Sequence, residues 1–228
     1  MNRFFINYCV GGRGDFLTNC LRDVEYDWEL LFDLENTPKM PPPLSYCVKT
    51  HGIIEDPVFT TIEGFPKNFD SWKDFFVTAN SFNLIKLKIV ATSIEECIDI
   101  VWFAYSKTLL NNNRLSVKLS LDEIPKPTVE YIYENMDNII SSAFFEVASV
   151  QKLDKDFQHE YDYIIKFEDL FNAEYIRDLY KKINGRDMDY ARVKAIEKNI
   201  AMQYRLSKSE FYPIFKDKLS IIRALFQK

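Results

Sequence analysis

The sequence feature that most constrains the fold is a glycine-rich turn between an apolar run and a helical pattern. The apolar run is Phe4–Val10, and three of the six glycines in the chain fall within the next four residues, Gly11–Gly14. Apolar side chains then recur at helical spacing from Phe16 onwards, which predicts an amphipathic helix. A buried strand followed by a tight turn and a helix begins a strand–helix–strand unit. We therefore expect strands that alternate with helices around a parallel sheet.

The rest of the chain repeats this alternation of strands and helices. Three further strands are predicted, at residues 44–52, 83–93 and 161–171. Helices are predicted at residues 94–110, 128–147 and 173–185, and over most of 189–228 with a break near Ser207. Residues 55–82 contain scattered Pro and Gly among aromatic residues, and we interpret them as a loop with short helical pieces. The pattern predicts one α/β domain over residues 1–228, with a parallel central sheet flanked by helices and a helical C-terminal part at about 189–228.

Composition argues against several classes of partner. The net charge is −5, so the chain lacks the broad basic surface that duplex nucleic acid demands. The four cysteines lie apart in apolar contexts and the chain has two histidines, which favours buried thiols in a reducing compartment over a zinc site. No stretch of the sequence approaches the ~20 apolar residues of a membrane span. We therefore expect a cytoplasmic protein with no metal, no nucleic-acid partner and no membrane association, and the oligomeric state stays open.

Two interpretations of the glycine-rich turn stay open. A helix that begins after glycines presents unpaired N–H groups and the positive end of its dipole, which together bind a phosphate. The alternative is a tight corner in which Asp15 is the N-cap of the helix. No Lys-Ser or Lys-Thr pair follows Gly14, so an ordinary Walker loop for ATP or GTP is disfavoured. The dinucleotide pattern G-x-G-x-x-G starts at Gly12 but has Leu17 in its last position.

Two more predicted strands end in polar residues. Lys49 and His51 are two residues apart in "KTH", so they share one face of a strand. A neutral His can accept a proton from a hydroxyl near pH 7, and a Lys beside it can stabilise a leaving phosphate oxygen. The alternative is an exposed Lys and a His bonded to backbone. The next strand ends at Thr92-Ser93, and the carboxyl ends of parallel strands meet at one edge of a sheet.

These segments occur in an order that resembles the sulfotransferases that use 3′-phosphoadenosine 5′-phosphosulfate. "KTH" is similar to the segment that carries the catalytic histidine of that family, and "IIKFEDL" at residues 164–170 resembles its late strand and turn. The resemblance implies a P-loop-like nucleotide-binding fold, with His51 as the general base on a hydroxyl of a small molecule or glycan. It also implies that Lys49 stabilises the phosphate leaving group. The residues it implies for the nucleotide are Gly11, Gly12, Arg13, Gly14, Asp15, Phe16, Leu17, Thr18, Thr92 and Ser93.

The sequence also departs from that family. The Ser-Gly-Thr-Thr of the first loop is replaced by Gly12-Arg13-Gly14-Asp15-Phe16, and the Arg and Ser expected for the 3′-phosphate read Thr92 and Ile100. Arg114 is one candidate for a replacement. A non-catalytic nucleotide- or anion-binding module on the same fold therefore stays an alternative, as does a divergent nucleotide kinase or other phosphotransferase. Glu168 and Asp169 of "FEDL" are predicted to cap the helix that follows, because Asp is a preferred cap residue.

Overall fold

The structure is a computed structural model of the chain. It describes residues 3–8, 13–21, 47–50, 59–60, 62, 64–66, 68–93, 96, 99–100 and 157–207. Of residues 15, 47–50, 59–60 and 202–207, only the backbone is described. The predicted helices at 128–147 and beyond Ser207, and most of the one at 94–110, lie outside the described residues, as does Arg114.

The described strands form one five-stranded sheet in the order β3-β2-β1-β4-β5. They are β1 (Phe4–Asn7), β2 (Cys47–Thr50), β3 (Phe59–Thr60), β4 (Ile85–Val90) and β5 (Tyr163–Lys166). The pairs β1–β2, β1–β4 and β4–β5 are parallel, and the short edge strand β3 is antiparallel to β2. The prediction of a parallel α/β sheet is confirmed, whereas β3 was not predicted because it falls in the segment interpreted as a loop.

One face of the sheet is covered by aromatic side chains from α2 (Trp72–Ser81). Phe5 of β1 lies 4.5 Å, centroid to centroid, from Phe75, and Trp72 packs on Phe75 at 5.4 Å. Each such aromatic pair adds about 0.5–1.5 kcal/mol beyond its buried area. The interpretation of residues 55–82 as a loop with short helical pieces was therefore wrong for this ten-residue helix. Ser71 caps its first turn by accepting from the backbone N–H of Asp74 at 3.1 Å.

The opposite face of the sheet is covered by α1 (Gly14–Leu21) and α3 (Ala173–Asn184). Phe4 and Ile6 point to this face, because side chains alternate along a strand and Phe5 points to the other. Leu17 and Leu21 of α1 are fully buried. The Asn184 side chain donates to the carbonyl of Leu21 at 3.2 Å and so fixes the end of α3 on the end of α1. The sheet thus has helices on both faces, as parallel sheets generally do.

The chain leaves β5 through a 3₁₀ turn, Phe167–Phe171, before α3 begins. The cap of α3 is Asn172, whose Oδ1 accepts from the backbone N–H groups of Glu174 and Tyr175 at 3.0 and 3.2 Å. The prediction that Glu168 and Asp169 cap this helix was wrong, because the 3₁₀ turn moves the start of the helix three residues along the chain. Gly185 closes α3 with φ 70°, as predicted.

The last described helix is α4 (Tyr190–Ser207), which packs on α3. Asp189 begins it, since the carboxylate accepts from the Arg192 backbone N–H at 2.9 Å. The described residues end at Ser207, so the predicted break near that residue stays a prediction. Within the described part of the chain, no helix combines the length and the apolar character needed to cross a membrane.

Candidate functional site

The sheet order places a crevice at the carboxyl ends of β1 and β4. In the strand order, β2 lies beside β1 towards one edge of the sheet, and β5 lies beside β4 towards the opposite edge. The segments that follow β1 and β4 therefore diverge, and such switch points are where ligands bind in open α/β sheets. The turn after β1 and the Thr92-Ser93 segment after β4 lie on the two sides of this crevice. Lys49 lies on β2, the other neighbour of β1.

The helix after the glycine-rich turn begins at Gly14, and Gly11 and Gly12 lie outside the described residues. Arg13 precedes the helix with φ 60°, a left-handed conformation that is uncommon for a residue with a side chain. Its carbonyl accepts the first helical hydrogen bond from the Leu17 N–H at 3.0 Å. Asp15 is the second residue of the helix. It is therefore not the N-cap that the tight-corner alternative required.

Gly14 is required by packing. A Cβ at this position would collide with ring carbons of Tyr8, which is buried at the end of β1. The Thr18 hydroxyl donates to the Gly14 carbonyl at 2.8 Å within the same helix. This hydroxyl is therefore engaged by the backbone of α1, and it is buried there. The start of α1 is held tightly against β1, whether or not an anion binds to it.

The Arg13 side chain is directed to α4. Its guanidinium carbon lies 3.8 Å from the ring centroid of Phe16 and 4.4 Å from that of Phe171, and Nη2 donates to Oδ1 of Asn199 at 2.9 Å. Nη1 is buried and makes no hydrogen bond to the described residues. Burial lowers the pKa of Arg13 from its ordinary value to about 9, against a smaller opposite effect of Cys20. The only Arg or Lys of the Gly11–Thr18 turn is thus bound within the protein.

Lys49 and His51 belong to the neighbouring strand. Lys49 pairs with Ile6 in the register of the sheet, and Thr50 pairs with Asn7 at the end of β1. The Lys49 backbone is therefore one position from the carboxyl edge of the sheet. His51 lies outside the described residues, and of Lys49 only the backbone is described. Their assignment as catalytic residues stays a prediction.

Thr92 and Ser93 follow β4 and are tied together by Glu96. The backbone N–H of Thr92 donates to Glu96 Oε2, and the Thr92 hydroxyl donates to the same oxygen at 2.8 Å. Ser93 Oγ accepts from the Glu96 N–H at 3.1 Å, which is the hydrogen bond of an N-cap residue. The other carboxylate oxygen accepts from the Glu168 N–H at 3.3 Å. A buried carboxylate thus holds both donors of Thr92, which was predicted to meet a phosphate, whereas Ser93 is engaged as a hydrogen-bond acceptor.

A buried polar group on the α2 face of this edge was missed by the sequence analysis. Asn7, the last residue of β1, is 1% exposed, and its Nδ2 donates to the Tyr161 hydroxyl at 2.6 Å. Lys88 pairs with Asn7 in the sheet and is also 1% exposed. The available signal was an Asn within the apolar run Phe4–Val10 and a Lys inside a strand. Neither is informative alone, because strands commonly carry polar residues on a solvent face.

Other titratable groups form a buried cluster between α1 and α4. Cys20 is a free, buried thiol, and burial raises its pKa more strongly than Arg13 and Arg192 lower it. The pKa of Arg192 is lowered by burial, and its guanidinium lies 4.8 Å from the ring centroid of Tyr180. Cys20 is therefore an inert thiol at neutral pH. No group of three His, Cys, Asp or Glu side chains that could hold a metal ion occurs among the described residues.

A pocket of about 410 Å³ lies at the opposite, amino edge of β4 and β5. It is lined in part by Lys86, whose ammonium donates to Asn80 Oδ1 at 2.9 Å and lies 3.3 Å from an Asp162 carboxylate oxygen. Asp162 also accepts from the Lys86 backbone N–H at 2.7 Å. The polar groups of this pocket are thus bonded to one another, and they join α2 to the sheet.

The predicted site residues therefore fall into two groups. The side chains of the first group are hydrogen-bonded within the protein, and the side chains of the second lie outside the described part of the chain. Arg13, Thr18, Thr92 and Ser93 belong to the first group, and Lys49 and His51 belong to the second. The parallel register places the carboxyl ends of β1, β2 and β4 at one edge of the sheet. Comparison of the chain with protein-family models, with curated proteins and with solved structures found no match.

Proposed function

We propose that this chain is a sulfotransferase-like enzyme with a P-loop-like nucleotide-binding fold. It would transfer a sulfuryl group from 3′-phosphoadenosine 5′-phosphosulfate to a hydroxyl of a small molecule or glycan. The observation that carries the proposal is the parallel register of β2, β1 and β4. It brings the start of α1, the Lys49 segment and Thr92-Ser93 to one edge of the sheet, where ligands of open α/β sheets bind.

The roles proposed for the individual residues follow from the chemistry of the transfer. The acceptor oxygen attacks sulfur, the bond from sulfur to the 5′-phosphate oxygen breaks, and the hydroxyl proton passes to His51. Lys49 neutralises the charge that develops on the released phosphate oxygen. The products are the sulfate ester and 3′-phosphoadenosine 5′-phosphate. Such a transfer depends on positioning and charge stabilisation, in the same way as phosphoryl transfer.

The contacts of the Arg13 side chain change which groups we propose to bind the phosphosulfate. Because the guanidinium is held between two phenyl rings and bonded to Asn199, the phosphate would be held chiefly by backbone N–H groups at the start of α1. Backbone N–H groups and the helix dipole are sufficient for anion binding at other helix starts. We therefore expect Arg13→Ala to weaken nucleotide binding only modestly, through a change in the position of the turn.

A second function, nucleotide or anion binding without turnover, is favoured by one observation. Glu96 occupies the donors of Thr92, and a carboxylate repels a 3′-phosphate in the same place. In a catalytic protein another group would have to hold that phosphate. A binding module that prefers a nucleotide without a 3′-phosphate meets no such requirement.

The nucleotide is tested by the thermal shift of the purified chain with 3′-phosphoadenosine 5′-phosphate, 5′-AMP, ATP, NAD and inorganic phosphate. A ligand at 100 times its dissociation constant adds about 2.7 kcal/mol, which for a domain of this size raises the melting temperature by several degrees. We expect the largest shift with the 3′-phosphorylated nucleotide. An equal or larger shift with 5′-AMP would favour the second function, and no shift with any nucleotide would refute both.

Catalysis is tested with the two histidines of the chain, which provide a matched pair. We expect His51→Ala to abolish sulfuryl transfer to a panel of hydroxyl compounds while 3′-phosphoadenosine 5′-phosphate still shifts the melting temperature. His159→Ala is the control, because the side chain of His159 is 75% exposed and lies 3.5 Å from Glu160 on the surface. Equal turnover by both variants would exclude His51 as the base.

A further inference from the structure

β5 is an edge strand of the described sheet. It stands last in the strand order, and among the described strands only β4 pairs with it. Backbone N–H and C=O groups on the outer side of an edge strand point away from its neighbour and can pair with another strand. The residues Tyr163–Lys166 include no proline, so every one of them has an N–H group for such pairing. The outer side of β5 is therefore able to accept a further strand.

One face of β5 exposes an apolar side chain between two opposite charges. Ile164 is 46% exposed. Asp162 and Lys166 lie two residues before and after it and share its face, because side chains alternate along a strand. Asp162 continues the pairing with β4, since its backbone N–H donates to the Lys86 carbonyl at 2.9 Å. The side chains of Asp162 and Lys166 are 47% and 55% exposed, so all three side chains can meet a partner.

This order of side chains is complementary to itself in an antiparallel pair. When Ile164 lies opposite Ile164 of a second copy, Asp162 of each chain lies opposite Lys166 of the other. Side chains directly opposite each other have Cβ atoms about 4.5–5.5 Å apart, which allows apolar contact and attraction between opposite charges. A parallel pair in register would instead place like charges opposite each other. A two-fold axis at Ile164 makes the two charge pairs equivalent and closes the contact.

The two charged side chains also have partners within their own chain, which the pairing keeps. Asp162 Oδ2 accepts from the Lys86 backbone N–H at 2.7 Å and lies 3.3 Å from the Lys86 ammonium. The Lys166 ammonium lies 3.6 Å from a Glu168 carboxylate oxygen. An ammonium has three donors, and a carboxylate accepts at both of its oxygens. A contact across the two-fold axis therefore extends these ion pairs into a network without breaking them.

We propose that β5 pairs antiparallel with β5 of a second copy of this chain, which joins the two sheets across a two-fold axis at Ile164. The pairing removes Ile164 from water and gives partners to the backbone groups of the open edge. Stable interfaces bury about 1,200–2,000 Å² in total, and an edge of about five residues buries less, so the dimer forms only at higher protein concentration. The inference uses no residue of the candidate site and does not rest on the proposed function.

The test is sedimentation equilibrium of the full chain from micromolar to near-millimolar concentration. We expect the average mass to rise from one chain towards two. Lys166→Glu places two carboxylates opposite each other at both positions and should weaken the dimer by about tenfold or more. Asp162→Lys should do the same with two ammonium groups, and a mixture of the two variants should dimerise again, because every opposed pair then has opposite charges. Val77→Lys is the matched control, since Val77 is 62% exposed on α2, away from this edge.

A cross-link keeps the test decisive even where Asp162→Lys fails to fold. Opposite residues of an antiparallel pair have Cα atoms about 4.5–5.5 Å apart, which suits a disulfide. With diamide as oxidant, Ile164→Cys should form a covalent dimer faster than Val77→Cys and the unaltered chain, which has four native cysteines. A mass of one chain at every concentration, a dimer unaffected by Lys166→Glu, association beyond two chains, or equal cross-linking of both Cys variants would overturn the inference.

Discussion

Replacing Gly14 by Ala tests whether the glycine-rich turn is required by packing or by a ligand. In the structure a Cβ at Gly14 would collide with three carbons of the Tyr8 ring. Tyr8 is 4% exposed and lies at the end of β1, so neither the ring nor the helix can move into solvent. Gly14 is also the first residue of α1, where Ala would otherwise be favourable, because Gly in a helix is about 1 kcal/mol worse than Ala.

The expected magnitude follows from these two opposing effects. Overpacking of a buried contact costs about 1–3 kcal/mol, and a collision with several ring atoms belongs at the upper end. We expect Gly14→Ala to lower the free energy of unfolding by about 2 kcal/mol. In a Tyr8→Ala background the collision is absent, so the same substitution should be neutral or stabilising by up to about 1 kcal/mol. The resulting coupling between the two positions is at least about 2 kcal/mol.

The assay is urea denaturation followed by tryptophan fluorescence, since Trp72 is buried in the aromatic core. Gly64→Ala is the control: nothing lies within 4 Å of a Cβ there, but φ is 79°. Its cost of about 1 kcal/mol should be the same in both backgrounds. A cost of Gly14→Ala that persists when Tyr8 is Ala would refute the packing explanation. If the Gly14→Ala single variant kept full stability but no longer bound nucleotide, Gly14 would be required for ligand binding instead.

Further predictions concern the buried charges and the aromatic core. Arg13→Met should leave stability unchanged or raise it, because removing the desolvation penalty of the buried guanidinium offsets the cost of leaving Asn199 Oδ1 without its donor. The pKa of Arg13 in the folded chain, about 9, lies below its ordinary value, so the unfolded chain binds more protons between these two pKa values. The desolvation penalty from Arg13 therefore has its full value below pH 9 and declines as pH rises. The difference in unfolding free energy between Arg13→Met and the unaltered chain should narrow by about 1 kcal/mol between pH 8 and 10. Urea titrations at each pH would detect this change. Asn199→Leu should cost about 1–3 kcal/mol, since it removes the Arg13 acceptor; an unchanged urea midpoint would contradict this. Glu96→Gln should lower the melting temperature, because Thr92 loses a charged acceptor, and calorimetry should show tighter 3′-phosphoadenosine 5′-phosphate binding if Thr92 meets the 3′-phosphate. Phe75→Ala should cost about 3–5 kcal/mol, whereas Val77→Ala on the exposed side of the same helix should be nearly neutral in the same denaturation assay.

The parallel sheet was predictable because its strands carry strong local signals. The run that contains β1 and the run that contains β4 are each followed by a helical pattern, and right-handed crossovers then favour parallel pairing. The C-terminal end of α3 was equally clear, since Gly185 follows the last apolar position and adopts φ 70°. These features depend on residues adjacent in sequence, so no knowledge of distant contacts was needed.

The elements that were missed depend on contacts between distant segments. The aromatic residues of α2 were open to assignment as core, pocket or interface until Phe5 of β1 was found against Phe75. The start of α3 was misplaced because a 3₁₀ turn, Phe167–Phe171, lies between the strand and its helix. Asn172 then provides the cap oxygen, although Asp169 has an equally good side chain for this role. Local preference alone does not choose between two capping residues three positions apart.

The chemistry of the candidate site likewise depends on contacts between distant segments, which the sequence does not reveal. The sequence places Arg13 and Thr92 at strand ends, and the sheet order brings those ends together, but the sequence does not say which side chains are already bound within the protein. Asn199, which accepts from Arg13, lies 186 residues from it along the chain. Glu96, which holds the Thr92 donors, is itself fixed by the backbone N–H of Glu168, 72 residues away. Asn199 and Glu96 each engage a donor that an anion would otherwise meet. A donor at a strand end is therefore a candidate ligand only after its internal acceptors are known. By that criterion Thr92 is a weaker candidate than Arg13, because both Thr92 donors are held by Glu96, whereas Nη1 of Arg13 is buried with no hydrogen-bond partner among the described residues.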